Sequence, residues 1–197
     1  MRAFKEIYIF AGGVSPQVIT ETIYALAMSR PPVYPNELYI ITTRLGKTVI
    51  KDNLIERGIL KNLFNEYEIP PISFDDSNFL IPQTPHGEKI DDIKTEEDNE
   101  ALADLITSFI RQMTKDNGNR LHCSIAGGRK TMSFYLGGSL ELFGRPWDKL
   151  YHVIVSPEFE SNPDFYYKPR ARRKIKVLTK DGQEIWLDTN QAKIYLA

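Results

Sequence analysis

Short apolar runs alternate along the chain with longer stretches in which apolar residues recur at helical spacing. Ile7-Tyr8-Ile9-Phe10 is the first run, and Ala11-Gly12-Gly13-Val14 follows as a loop. Ser15-Pro16 has the form of an N-cap and first helical residue, after which Val18, Ile19, Ile23, Leu26 and Ala27 mark one helix face. Pro31-Pro32 ends that helix. Leu38-Tyr39-Ile40-Ile41 is a second run, closed by Thr42-Thr43-Arg44, and a single helix is predicted from about Gly46 to Phe64. Strands of this kind, alternating with helices, predict βαβ units. Their near-continuous apolar character suits a parallel sheet covered on both faces.

Residues 70–94 break the rhythm with Pro70, Pro71, Pro82 and Pro85. A short strand near Ile72-Phe74 is expected, and the rest reads as a long loop, either a solvated excursion or a lid. Thr95-Glu96-Glu97-Asp98 resembles a capped helix start, followed by the stripe Leu102, Leu105, Ile106, Phe109, Ile110 and Met113. Leu121–Ala126 is the next strand, turned by Gly127-Gly128 into a helix that runs to about Phe143. That helix is apolar on most sides, which predicts burial inside the domain or in a dimer interface. Tyr151–Val155 is another strand, ended by Ser156-Pro157. Two β-rich runs around Lys180-Asp181-Gly182-Gln183 predict a C-terminal hairpin between Lys174 and Thr189. The expected fold is therefore α/β: a Rossmann-like open, mostly parallel sheet with helices on both faces, occupying residues 1–170, with 171–197 as a β-hairpin extension of the same domain.

The composition, 42% hydrophobic and 26% charged, is that of an ordinary globular chain, and 197 residues suit one domain. A formal net charge of −1 gives no global case for binding long DNA or RNA. A single cysteine, Cys123, and the absence of any secretory or spanning apolar segment lead us to expect a cytoplasmic protein without a membrane partner. The histidines are scattered and show no metal-ligand spacing, so neither a metal nor another cofactor is expected.

Candidate chemistry gathers at three strand ends. Gly12, Gly13, Val14, Ser15 and Gln17 follow the first, Thr42, Thr43 and Arg44 the second, and Ala126, Gly127, Gly128, Arg129, Lys130 and Thr131 the strand from Leu121. In an open parallel sheet these ends share one edge, where ligands bind. Helix starts offer free N–H groups to an anion, and Arg129 and Lys130 add two cations. Ser156, at a fourth strand end, joins the candidates. The spacing is neither a Walker A loop nor G-x-G-x-x-G. The basic run Arg170-Ala171-Arg172-Arg173-Lys174 is a solvated linker or a supplement to the anion site. Arg145 and His152 match the spacing of the HEPN ribonuclease pair, but Pro146 interrupts the helix that pair needs.

With these residues in view, the chain resembles the CRISPR-associated Rossmann-fold (CARF) proteins, and among them the stand-alone ring nucleases. The likeness spans roughly residues 5–170. It rests on Gly13-Val14-Ser15-Pro16-Gln17-Val18 with Thr20-Glu21, on Asp98–Asp104, and above all on Ser124-Ile125-Ala126-Gly127-Gly128-Arg129-Lys130-Thr131-Met132. Leu142–Pro146 and His152–Glu160 complete it. The resemblance implies a two-fold homodimer with a cyclic oligoadenylate, usually cyclic tetra-adenylate, lying across both Gly-Gly-Arg-Lys loops. It further implies metal-independent cleavage to linear di-adenylate with a 2′,3′-cyclic phosphate. In that reaction Ser15, Arg129 and Lys130 would be catalytic, and the other residues of the strand-end loops, with Ser156, would bind ligand. Larger members of the family carry a C-terminal effector nuclease, which is not expected after residue 170. The alternative is a non-catalytic sensor that acts on a separate partner protein.

Overall fold

A computed structural model describes residues 4–179 and 181–197. Its centre is a five-stranded, all-parallel sheet in the order β3-β2-β1-β4-β5. β1 (Lys5–Ala11) lies in the middle, flanked by β2 (Glu37–Ile41) and β4 (Asn119–Ser124), with β3 (Phe79–Leu80) and β5 (Lys149–Tyr151) at the edges. Because side chains alternate along a strand, β1 feeds two cores. Tyr8 and Phe10 join Leu38 and Ile40 beneath α1 (Gln17–Ala27) and α3 (Ile59–Glu66). Ile7, Ile9 and Ala11 join Leu121 and Cys123 beneath α4 (Glu96–Met113) and α5 (Lys130–Phe143). Thus both faces of the sheet are covered, as the apolar runs require.

Local signals explain most boundaries. Thr95 accepts from the Asp98 N–H while the Asp98 carboxylate accepts from the Thr95 N–H, so α4 starts in a full capping box. Leu102, Ile106 and Ile110, one turn apart, are wholly buried. Buried His122 on β4 meets Glu6 at 2.7 Å and Tyr151 at 3.1 Å, which makes it part of the scaffold.

The chain departs from the periodicity in five places. The predicted helix from Gly46 to Phe64 is divided: α2 (Arg44–Ile50) continues as a π-helical turn, Lys51–Glu56, and Gly58 at φ 67° resets the backbone before α3. No strand forms at Ile72–Phe74. The edge beside β2 is instead taken by Phe79-Leu80, placed there by Asn78, whose side-chain amide donates to the Leu38 carbonyl. Ser15 does not cap α1; Pro16 occupies that position. The run Tyr151–Val155 is split at His152. Its first part ends β5, while β6 (Val153–Val155) pairs antiparallel with β9 (Ile194–Leu196). Finally, α5 buries only Met132, Leu136 and Ser139, and leaves Phe134 and Leu142 about three-quarters exposed.

The C-terminal hairpin forms as expected from β7 (Lys174–Leu178) and β8 (Glu184–Asp188). Lys180, one of its four expected turn residues, lies outside the described residues. The segment before the hairpin is strapped across the main sheet's helices. Thr20 Oγ1 donates to the Tyr166 carbonyl at 2.6 Å, and the Tyr67 hydroxyl donates to the Lys168 carbonyl at 2.5 Å.

β1 lies between β2 and β4, so the chain leaves it towards one side of the sheet and returns for β4 on the other. The two loops beyond β1 and β4 meet at that reversal. A Cβ on Gly127 would stand 2.7 Å from the Ala11 carbonyl oxygen and 2.8 Å from Val18 Cγ2. Gly127→Ala should therefore destabilise the fold by about 1–3 kcal/mol, the usual cost of overpacking. Thermal melts would then fall by several degrees; an unchanged melt would mean that the loops are not in fixed contact.

Candidate functional site

The strand reversal brings the two glycine loops into van der Waals contact. A Cβ on Gly13 would lie 2.9 Å from Gly128 Cα, and one on Gly12 2.8 Å from Ile40 Cγ2. Gly128 adopts φ 76°, which favours glycine. The glycines at 12, 13 and 127 thus serve close packing of loop on loop and loop on sheet. That packing sets the start of α1 beside the start of α5.

α5 opens with Arg129 at its N-cap and no side chain capping it. Among the described residues, no protein group accepts from the backbone N–H of Lys130 or Thr131. Lys130 is exposed and has no ion-pair partner there. Arg129, Lys130, Thr131 and Gly128 line a cleft of about 590 Å³ with Lys94 and Asn99. The side-chain oxygen of Asn99 is buried without a partner, because its amide nitrogen is committed to the Tyr135 hydroxyl at 2.6 Å. Free helix N–H groups, a free lysine and a second cation make this cleft receptive to an anion.

Arg129 is not idle. Its guanidinium grips both carboxylate oxygens of Asp92, with Nε to Oδ1 at 2.9 Å. The contact holds the Asp92 carboxyl below its ordinary range and the Arg129 guanidinium above its own. The neighbouring Asp91 does the same to Arg44. The loop before α4 therefore lays two adjacent carboxylates over two arginines from different strand ends.

The start of α2 differs from that of α5. Its N–H groups are all satisfied: Arg44 donates to the Ile90 carbonyl, Leu45 to the Asp91 carbonyl, and Gly46 to Thr43 Oγ1. Thr43 thus acts as a cap, and Thr42 is entirely buried, its hydroxyl without a partner. The three residues after β2 are held by the fold, and of these only Arg44 reaches solvent.

Ser15, Gln17 and Ala126 face a smaller, more enclosed cavity of about 120 Å³ beneath the turn at residues 156–161. Among the described residues, Ser15 has no side-chain hydrogen bond. Val14 is exposed. Two carboxyls that the sequence did not single out as functional reach the cavity: Glu21, only 3% exposed, and Glu160. Burial, reinforced by the Glu160 charge, pushes the Glu21 carboxyl up from 4.5 to about 8. The signal was an acid within Val18-Ile19-Thr20-Glu21-Thr22-Ile23, a helical segment with no other charged residue. Ser156 stands apart: its hydroxyl accepts from the Lys193 N–H, which ties the turn to the C-terminal strand. Arg145 donates to Asp148 and to the carbonyls of Thr114, Asp116 and Asn119, a structural role that removes it from any pairing with His152.

The family model for CRISPR-associated protein NE0113 matches residues 15–197. The chain belongs to that family. No curated protein matches this NE0113-family chain. Among solved structures, it is similar to a putative UDP-N-acetylglucosamine 2-epimerase from Listeria monocytogenes, at 16% identity and a TM-score of 0.36. The match covers 77% of this chain and 31% of that one, so the chain spans about a third of the epimerase. Among the described residues, no helix is long and apolar enough to cross a membrane, and no group of three or more metal-ligating side chains is assembled.

Two outcomes follow from the electrostatics. Asp92→Asn should free Arg129 and raise the affinity for pyrophosphate up to about fivefold, since an exposed pair is worth ~1 kcal/mol at most. Calorimetric titration reads this directly, and unchanged affinity would show that Arg129 does not face the anion. Glu21 holds its proton more tightly folded than unfolded. The resulting stability is complete below about pH 4.5 and is lost as pH rises through about 8. Glu21→Gln should consequently raise the melting temperature at pH 8 and leave it nearly unchanged at pH 4.5.

Proposed function

We propose that this NE0113-family protein is a metal-independent ring nuclease that binds cyclic oligoadenylate, cyclic tetra-adenylate first, and opens it to linear di-adenylate ending in a 2′,3′-cyclic phosphate. Such cleavage would switch off a second messenger. One observation carries the reading: the unpartnered N-terminus of α5 with free Lys130, held by glycine packing beside the loop that bears free Ser15. CRISPR-associated family membership and the segment Ala126-Gly127-Gly128-Arg129-Lys130-Thr131 support it.

In this mechanism the ribose 2′-hydroxyl gives up its proton to solvent as its oxygen attacks the adjacent phosphorus, the bond from phosphorus to the 5′-oxygen breaks, and that oxygen takes up a proton from solvent; two such cuts divide the tetra-adenylate ring into two di-adenylates. The protein's first task is alignment, since the attacking and leaving oxygens must stand in line. Ser15 positions the 2′-hydroxyl or a phosphate oxygen. The α5 N–H groups and Lys130 stabilise charge on the phosphate and the leaving oxygen. Arg129 joins them once phosphate displaces Asp92. The protein acts as a homodimer, because a ring on a two-fold axis meets the same loop from each copy. The open face of α5, with Phe134 and Leu142, is the apolar surface such a dimer would use.

Incubation of the protein with cyclic tetra-adenylate in EDTA, followed by mass spectrometry, tests the reading. Wild type should yield linear di-adenylate. Lys130→Ala should slow opening by at least about 100-fold while binding weakens far less. Bound but intact ring with the wild type would make the protein a sensor instead.

A further inference from the structure

The cavity between α1 and the turn at 156–161 has a chemistry that phosphate binding does not use. Gln17, 8% exposed, donates its amide N–H to the Asn162 carbonyl at 3.3 Å. A carbonyl only accepts, so this bond fixes the amide's orientation and leaves Gln17 Oε1 on the other side. That oxygen is buried and has no partner among the described residues. An acceptor in this state costs free energy unless a donor arrives. Glu21 lies one helical turn further along the same face of α1 and is buried more deeply still. No protein group donates to its carboxyl among the described residues. The titratable groups facing it are Glu160, from the turn after β6, and His152, between β5 and β6; no lysine or arginine lines the cavity. Burial, with no cation near and a like charge opposite, favours the protonated form of Glu21, its carboxyl pushed up to about 8.

A neutral carboxyl both donates and accepts, whereas Gln17 Oε1 only accepts. The fitting ligand edge is an amino group beside a ring nitrogen: the N–H of the amino group meets Gln17 Oε1, and the ring nitrogen receives the Glu21 hydroxyl proton. A phosphodiester is excluded, since it offers no donor to match. Ser15 and Ala126, which line the cavity, also belong to the two glycine loops, so its occupant would be attached to whatever sits there.

We infer that Gln17 and Glu21 form a base-reading pocket that recognises the amino edge of adenine and selects adenylate among ring nucleotides. This rests on the cyclic oligoadenylate reading for the choice of adenine, while the pocket itself stands on its acceptor-lined, enclosed geometry. Ionisation of Glu21 removes the donor to the ring nitrogen, so recognition weakens as pH rises through about 8.

Adenosine is the probe, because it lacks phosphate and reports on this pocket apart from the Gly-Gly-Arg-Lys loop. Titrated into the full-length protein at pH 6.5, it should shift the side-chain amide resonance of Gln17 in ¹H–¹⁵N spectra. Purine riboside, which lacks the amino group, should bind about tenfold more weakly, the loss of one hydrogen bond that leaves Oε1 unpaired. Adenosine affinity should fall at least about fivefold by pH 9.5 as the Glu21 proton is lost. Glu21→Gln, which keeps a donor and an acceptor, should bind adenosine with no such pH dependence. Equal affinity for the two nucleosides, no shift at Gln17, or a pH dependence that survives in Glu21→Gln would each overturn the assignment. Ring cleavage without adenine selectivity would leave the nuclease reading standing and remove the pocket; adenosine selectivity without ring binding would do the reverse.

Discussion

The contact between Gly13 and Gly128 fixes the geometry on which the rest depends. β1 sits at the middle of the sheet, and the chain departs from it in opposite directions, so the loops after β1 and β4 must share the gap above the strand ends. Side chains at 13 or 127 would force them apart, and one at 12 would press on Ile40 of the sheet. With glycine at each place, the starts of α1 and α5 stand side by side. A site assembled from residues more than a hundred positions apart thereby becomes one surface. The cost of such packing is the conformational freedom glycine loses on folding, offset by the apolar cores that hold β1 from both faces.

Charge on this surface is arranged locally. A chain of net charge −1 has no field with which to gather a polyanion, yet Lys94, Arg129 and Lys130 converge on one cleft. Asp91 and Asp92 neutralise Arg44 and Arg129 in the free protein. The resting surface is thereby spared a cluster of unpaired cations, and under the proposed function a phosphate would take the place of these carboxylates. The loop that carries them is pinned by backbone bonds from Arg44 and Leu45 to Ile90 and Asp91. The exchange proposed there would accordingly be one of side chains on a fixed backbone.

Much of this was legible in the chain. The strands Ile7–Phe10 and Leu38–Ile41 announce themselves as apolar runs, the Thr95–Asp98 cap as a pattern of residue types, and the Gly-Gly-Arg-Lys segment as a strand end with unexplained cations. What was not legible depends on pairing across long separations. β6 finds β9 some forty residues away, which no local periodicity reports. The Asp92 grip on Arg129 spans 37 residues and the Asp91 grip on Arg44 spans 47. Gly58 was hidden inside a helical period that continues on both sides of it. Glu21 was visible as the one charged residue between Val18 and Ile23, but its importance depends on burial against Glu160, which only the tertiary structure supplies. Ser15 looked like a helix cap and is instead a free hydroxyl at the cavity.

The central claim is that the unpartnered start of α5 is where a cyclic oligoadenylate phosphate rests. Titration of cyclic tetra-adenylate into ¹⁵N-labelled protein in EDTA, followed through the backbone amides, tests it most directly. The account predicts that the largest shifts fall on Gly128–Thr131, with Asp92 following as its arginine is taken over by the ligand. Shifts confined to the α2 start or the C-terminal hairpin, or no shift at saturating ligand, would contradict it.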